Sequence, residues 1–123
     1  MREYPKWSEL PEIDLYLDQV LEYVNKLHSP ILLKNDKGLT SAMINNYVKN
    51  HYVDKPIKKK YSRRQLARLI VITYLKNVFS IQEISKTLTM LTKNDKSEIM
   101  YNNFVACMNG EDTDEIPIVI KSA

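Results

Sequence analysis

One run of the sequence restricts the fold more than any other. Leu69 to Leu75 reads LIVITYL, so apolar or aromatic side chains occupy six of its seven positions. Two capping-box patterns flank the run: Ser62 with Gln65, and Ser80 with Glu83. They predict a helix from about Arg63 to Asn77. A helix that is apolar on nearly every side has to be covered on every side, so we expect the other helices to pack around this one.

Length and composition predict one compact domain. The 123 residues are 44% hydrophobic and 27% charged, which suits a single core. We divide this domain into an N-terminal support helix and loop over 1–38, a core over 39–92, and a C-terminal helix and tail over 93–123.

Several classes of protein are disfavoured by what the sequence lacks. Cys107 is the single cysteine, which excludes an internal disulfide and a cysteine zinc site and suggests a reducing compartment. The longest apolar run is too short to cross a bilayer. Residues 1–10 lack the apolar stretch of a secretory signal. We therefore expect a cytoplasmic protein that does not associate with membranes.

No set of residues in the sequence predicts catalysis, a metal or a cofactor. His28 and His51 have no partners at ligand spacing, so both are interpreted as structural histidines and no metal is expected. Gly38 and Gly110 are the two glycines, too few for a phosphate-cradling loop. We expect neither an enzyme nor a cofactor.

The remaining helices are predicted from the spacing of apolar side chains and from capping residues. Their expected spans are Pro11 or Glu12 to Ser29, Thr40 to Asn50, Ile81 to about Leu91, and Asn94 or Asp95 to Asn109-Gly110. The expected packed positions are Ile13, Leu17, Val20, Val24 and Leu27 in the first, Ile81, Ile84, Leu88 and Leu91 in the third, and Ile99, Phe104, Val105 and Met108 in the last.

Three apolar segments lie outside these helices. Trp7 and Leu10 should pack on the body of the domain. Ile31 to Leu33 can form a turn of helix or an extended piece, and Ile116 to Ile120 can form an edge strand or a docking segment.

The helix from Thr40 to Asn50 is expected to have one packed face and one outward face. The packed stripe is Ile44, Tyr47, Val48 and His51, and the outward face is Ala42, Asn45, Asn46 and Lys49. Two adjacent amides beside a lysine are unusual for a face that is only solvated.

Positive charge is concentrated directly after this helix. The net charge is +3, but residues 49–68 contain eight Lys or Arg residues and one acidic residue, whereas both flanks are net acidic. The connector within this window carries Lys55, Lys58, Lys59, Lys60, Arg63 and Arg64. Such a run is either a solvated face or a site for an anionic partner. Next to an amide-bearing helix it favours a partner lined with phosphates.

The stretch from Ile44 to Ile84 also carries a family resemblance. Its matching residues are Ile44, Tyr47, Val53, Pro56, Tyr61, Leu66, Leu69, Ile72, Leu75-Lys76 and Val78 to Ile84. They resemble the DNA-binding head of MerR-type transcription regulators. The sequence departs from that pattern at Asn45, Asn46 and Val48, and its basic connector is shorter.

Most of the chain resembles a second family more closely. The matching phrases are Trp7, Leu10-Pro11, Ile13 to Tyr16, Met43 to Lys49, Lys58 to Tyr61 and Leu69 to Ile72. They resemble a bacterial family of small uncharacterised proteins, the domain of unknown function 1836.

Together these resemblances imply an all-α, MerR-like winged helix-turn-helix fold of about five helices that binds duplex DNA. Thr40 to Asn50 would be the recognition helix and Lys58 to Tyr61 would lie in the wing. Asparagine can bond to the major-groove edge of adenine, and cationic side chains displace condensed counterions. The residues assigned to DNA are Thr40, Ser41, Asn45, Asn46, Lys49, Lys58, Lys59, Lys60, Tyr61, Arg63 and Arg64.

We expect a transcription regulator that acts as a homodimer, since two symmetric recognition helices double the base contacts of one. The dimer surface is expected on the last helix and Ile116 to Ile120. The alternatives are an adaptor that binds an acidic protein through the basic window, and RNA binding, which the absence of an aromatic platform disfavours. Tyr61 is equally a core anchor or a phosphate contact, and either amide can instead cap a helix or face solvent.

Overall fold

The computed structural model describes residues 3–29 and 38–110. These residues are mostly helical, as expected, with five α-helices and one small two-stranded sheet. In chain order the elements are a 3-10 turn at Trp7–Glu9, β1 at Leu15–Tyr16, α1 at Leu17–His28, α2 at Ser41–Lys49, β2 at Lys60–Tyr61, α3 at Arg63–Leu75, α4 at Ile81–Leu91 and α5 at Ser97–Met108. The segments Ile31 to Leu33 and Ile116 to Ile120, for which the sequence allows two conformations, lie outside the described residues.

Helix α3 is the centre of the fold, as its apolar run predicts. It packs against α1, α4 and α5. Most of its side chains are buried, and Leu69, Ile70, Val71 and Ile72 have no exposed area. Both predicted capping boxes are present, at Ser62 and at Ser80. None of the helices in the described ranges is long and apolar enough to cross a membrane.

The start of α1 differs from the prediction. The helix begins at Leu17 rather than near Pro11, and Ile13 is 71% exposed instead of packed. Leu15 and Tyr16 instead pair in antiparallel fashion with the strand that enters α3. The Tyr16 N–H donates to Gln19 Oε1 at 2.8 Å, so the helix starts directly after the strand. Pairing with a distant segment has overridden the local helical spacing.

Helix α2 begins as predicted but ends one residue earlier than Asn50. Thr40 Oγ1 accepts from the Met43 N–H at 3.2 Å, which is an N-cap bond. At the other end His51 has φ 62° and lies beyond the helix, and Tyr52 N–H donates to the Tyr47 carbonyl at 2.8 Å. This left-handed residue closes the helix. His51 is therefore exposed, not part of the packed stripe.

Helix α5 also starts later than predicted. Asn94 and Asp95 have φ 61° and 60°, so they form a left-handed turn that cannot belong to a helix. The helix starts at Ser97, and Ile99 is 50% exposed rather than packed. Phe104 and Val105 are buried as expected.

The N-terminal segment is held against α5 by hydrogen bonds between side chains and backbone. Asn109 Oδ1 accepts from the Tyr4 N–H at 2.9 Å, and Asn102 Oδ1 accepts from the Trp7 N–H at 2.9 Å. The Tyr101 hydroxyl donates to the Pro5 carbonyl at 2.8 Å. Trp7 packs against the core and Leu10 lies within it, as predicted. The two ends of the described chain are thereby tied together.

Candidate nucleic-acid interface

Helix α2 presents a polar ridge on the surface of the molecule. We define the ridge by its exposed residues, Ser41, Ala42, Asn45, Asn46 and Lys49. The side chains of Asn45, Asn46 and Lys49 make no hydrogen bond or ion pair with any described residue. Thr40 is half-buried, and its hydroxyl is occupied by the N-cap bond. The ridge therefore carries amide donors and acceptors that are available to a partner.

A tight β-hairpin follows α2 and carries Lys58, Lys59 and Lys60 of the basic window. Ile57 and Lys60 exchange two backbone hydrogen bonds, each 3.0 Å long. Lys58 and Lys59 form the two-residue loop and have φ 52° and 67°. Positive φ at both loop positions is the type I′ turn, which matches the twist of the paired strands. Both lysine side chains are exposed at the tip of this hairpin.

The hairpin is an unusual place for lysine. Type I′ loops favour asparagine, aspartate and glycine, because a left-handed residue with a larger side chain costs roughly 1–2 kcal/mol. Lys58 and Lys59 both bear this cost. Strained positions of this kind are concentrated at functional sites.

Three further cations of the connector are engaged within the protein. Lys60 Nζ lies 5.2 Å from the centre of the Tyr16 ring. The Arg63 guanidinium lies 5.9 Å from the Trp7 ring, and its Nε donates to the Pro11 carbonyl at 3.4 Å. Arg64 forms an exposed ion pair with Asp54 at 3.3 Å. By contrast, the side chains of Lys49, Lys55, Lys58 and Lys59 make no polar or ring contact with the described residues.

Tyr61 is a core residue. It is only 4% exposed and pairs with Leu15 in the small sheet, and its burial raises the pKa of its hydroxyl. Of the two roles that the sequence allows, the geometry favours the anchor: Tyr61 fastens the hairpin to the body of the domain. We therefore leave it out of the exposed interface.

Gln65 holds the segment that leads into the hairpin. Its Oε1 accepts from the Ser62 N–H at 2.6 Å, and its Nε2 donates to the carbonyls of Asp54 and Lys55 at 2.9 and 3.0 Å. One buried amide thus joins the capping box of α3 to the connector. The hairpin is held in one position relative to α3.

Grooves flank the α2 ridge on both sides. On one side Val48 at the last turn of α2 faces Ile57 and Lys60 of the hairpin across a shallow groove. On the other side Asn46 lines a second groove with Lys76 and Asn77, which lie at the corner between α3 and α4. The ridge therefore stands between the hairpin and the α3–α4 corner.

A comparison with known protein families assigns the chain to one of them. The family described as a domain of unknown function, DUF1836, matches residues 5–104. The chain belongs to this family. No curated protein and no solved structure matches it. The ridge, the hairpin and the α3–α4 corner all lie within the DUF1836 region.

Lys76 and Asn77 are the residues of this DUF1836 surface that sequence reasoning missed. They lie outside the basic window, so counting charges along the chain gave no reason to single them out. Only the position of α2 beside the α3–α4 corner in the folded chain brings them to the same groove as Asn46. Their closeness to Asn46 arises from the tertiary structure, and nothing in the local sequence indicates it.

The described part of this DUF1836 protein contains no group of three His, Cys, Asp or Glu side chains that could hold a metal ion. Cys107 is partly buried on α5 and packs against the core. The chemistry offered by the surface is that of amides and ammonium groups.

Proposed function

We propose that this protein binds duplex DNA and regulates transcription, with α2 in the major groove. The observation that carries the proposal is the exposed α2 ridge, whose amides are unengaged and which lies between a lysine-tipped hairpin and a second polar corner. An α-helix fits the major groove, and elements that flank such a helix can reach the phosphates on either side.

The residues have separate roles in this proposal. Asn45 and Asn46 bond to base edges, for which adenine is the best fit because its N6 and N7 match an amide. Lys49, Lys58 and Lys59 replace counterions along the backbone, which gives affinity without sequence information. Three cations are already engaged within the protein, namely Lys60, Arg63 and Arg64. We therefore expect them to contribute less to the affinity for DNA.

We also propose that the fold is a MerR-like winged helix-turn-helix and that the protein is a cytoplasmic regulator rather than an enzyme. The order of elements supports this interpretation: a recognition helix is followed by a short hairpin in the position of a wing, then by a buried helix and a further helix. Ser41 at the start of α2 is exposed and can contact a phosphate, as helix N-termini often do.

We propose that the protein acts as a homodimer, because one short helix makes few base contacts. The exposed Ile99 on α5 supports a surface that includes this helix. Deleting residues 111–123, which contain the apolar segment Ile116 to Ile120, should convert a dimer to a monomer. Light scattering would measure the mass, and an unchanged dimer mass after deletion would exclude the tail from this surface.

The experiment that tests the function is selection of bound duplexes from a random library, followed by two substitutions. We expect Asn45→Ala to change the preference among sequences, whereas Lys59→Ala weakens binding to all sequences alike. Fluorescence anisotropy with the selected duplex and two altered duplexes would measure both effects. A protein that binds no duplex at low salt would instead favour the adaptor that recognises an acidic partner.

A further inference from the structure

A polar cleft lies behind the end of α2, apart from the ridge. It is enclosed by the turn after α2, the first half of α3, the end of α4 and the start of α5. Its volume is about 300 Å³, at the lower end of the range of roughly 300–1,000 Å³ for small-molecule sites. The walls carry the polar side chains of His51, Asp54, Arg64, Arg68, Thr89 and Thr92, with Asp95 also at its edge. The cleft has room for a small polar molecule.

Arg68 is the cation in this cleft that has no acidic partner. Its Nε donates to the Tyr52 carbonyl at 2.7 Å. Its Nη2 donates to the Ser85 carbonyl at 3.2 Å, the Ser85 hydroxyl at 3.2 Å and the Thr89 hydroxyl at 3.1 Å. All these acceptors are uncharged, and Nη1 makes no hydrogen bond with a described residue.

Neither acid that lines the cleft neutralises Arg68 directly. Asp54 forms its ion pair with Arg64, and no carboxylate oxygen of residues 3–29 and 38–110 lies within 4.0 Å of the Arg68 guanidinium nitrogens. Asp95 is exposed. Burial is the largest effect and lowers the pKa of Arg68. The Asp54 charge raises it by less, and the Arg64 charge lowers it by less again.

We infer that the cleft binds a small anion, with Arg68 Nη1 as the central donor. A desolvated charge is normally compensated by a counter-charge in contact with it, and the oxygens that accept hydrogen bonds from Arg68 are all neutral. The ligand would be a small molecule that carries a carboxylate or a phosphate group. On the same wall the Thr89 hydroxyl accepts from Arg68 and can donate its O–H to the ligand, whereas the Thr92 hydroxyl already donates to the Leu88 carbonyl at 2.8 Å. This inference concerns a site of its own and does not depend on DNA binding.

Nuclear magnetic resonance provides the direct test, with inorganic phosphate and succinate as probes against potassium chloride at equal ionic strength. We expect the Arg68 Nε–H resonance to shift in a saturable way with at least one probe. Saturation by phosphate alone would identify a phosphate site, and saturation by succinate alone a carboxylate site. No saturable shift with either probe would overturn the proposal.

A pair of substitutions at Thr89 gives a matched control in which Arg68 keeps its bonds to Tyr52 and Ser85 and loses only the bond to the Thr89 hydroxyl. Thr89 is exposed, so both changes should fold. Thr89→Asp supplies a tethered carboxylate beside Nη2, whereas Thr89→Asn supplies a neutral group of the same shape. We expect Thr89→Asp to have the higher thermal midpoint and to lose the ligand-induced shift, and Thr89→Asn to keep the shift. Equal shifts in the two variants would overturn the proposal.

A second control separates the cleft from the basic hairpin. Lys58→Ala combined with Lys59→Ala removes two cations that could attract phosphate without touching the cleft. The Arg68 shift should be the same in this variant as in the unmodified protein. Loss of the shift would assign phosphate binding to the hairpin and contradict the proposal.

Discussion

Lys58 and Lys59 hold backbone conformations that asparagine and glycine adopt more readily. Their exposed side chains make no polar or ring contact with the described residues, so no internal interaction of these kinds requires lysine there. The strain is local, at two consecutive residues, and the exposed positive charge is what the two lysines contribute. The two lysines therefore lower the stability of the hairpin and place positive charge on the surface that we propose binds DNA.

The strain at Lys58 and Lys59 predicts that the hairpin can be made more stable at the expense of DNA binding. Lys58→Asn with Lys59→Gly should raise the free energy of unfolding by roughly 1–2 kcal/mol, since both residues suit a type I′ turn, and should weaken duplex binding. Urea denaturation and anisotropy would measure the two quantities. Lys58→Ala with Lys59→Ala keeps the strain, so it should weaken binding without the gain in stability. If the Asn-Gly variant binds the duplex as tightly as the unmodified protein does, these two lysines do not belong to the interface.

Among the elements, those with strong local signals were predictable, whereas a pairing with distant residues and a left-handed turn were not. The capping boxes at Ser62 and Ser80 located the starts of α3 and α4. The predicted start of α1 was wrong because Leu15 pairs with Tyr61, a residue far along the chain. The predicted start of α5 was wrong because Asn94 and Asp95 form a left-handed turn and do not begin the helix.

The candidate site was predictable to a similar degree. Helical spacing placed Asn45, Asn46 and Lys49 on the outer face, where the structure has them exposed. Charge counting could not separate Lys58 from Arg63, because the Trp7 ring and the Pro11 carbonyl that engage Arg63 are distant in sequence. Which cations are available is a property of the folded chain.

The packing of α5 against the N-terminal segment predicts a loss of stability at high pH. Burial raises the pKa of Tyr4 and of Tyr101 above the ordinary tyrosine value, with smaller contributions from neighbouring tyrosines and, for Tyr101, from Glu9. Unfolded tyrosine ionises near pH 10. The stabilisation is therefore fully present below about pH 10 and is lost as the pH rises above it.

Tyr101→Phe tests this expectation. It should cost about 1 kcal/mol at neutral pH, since the bond to the Pro5 carbonyl is lost, and it should make the fall in stability above about pH 10 less steep. Denaturation by urea at a series of pH values would measure both effects. Tyr16→Phe, at an exposed ring, is the control and should leave the slope unchanged. Equal slopes for all three proteins would exclude Tyr101 as a source of the alkaline loss.

At the scale of the whole molecule, the proposed binding of duplex DNA requires the ridge, the hairpin and the α3–α4 corner to act as one surface. The small sheet fixes the hairpin through Leu15 and Tyr61, Gln65 fixes its approach, and α3 carries the corner at its far end. The buried centre of the fold thus determines the spacing of the three exposed parts. A rigid spacing of this kind suits a partner with a regular repeat, such as a double helix.

The salt dependence of duplex binding tests this claim most directly. Each lysine that displaces a counterion contributes about 0.9 to the slope of log K against log salt concentration. Lys49→Ala and Lys59→Ala should each therefore reduce the slope by about 0.9, whereas Lys86→Ala, on the exposed face of α4, should leave it unchanged. Absence of duplex binding at low salt, or slopes that are the same for all three variants as for the unmodified protein, would contradict the account.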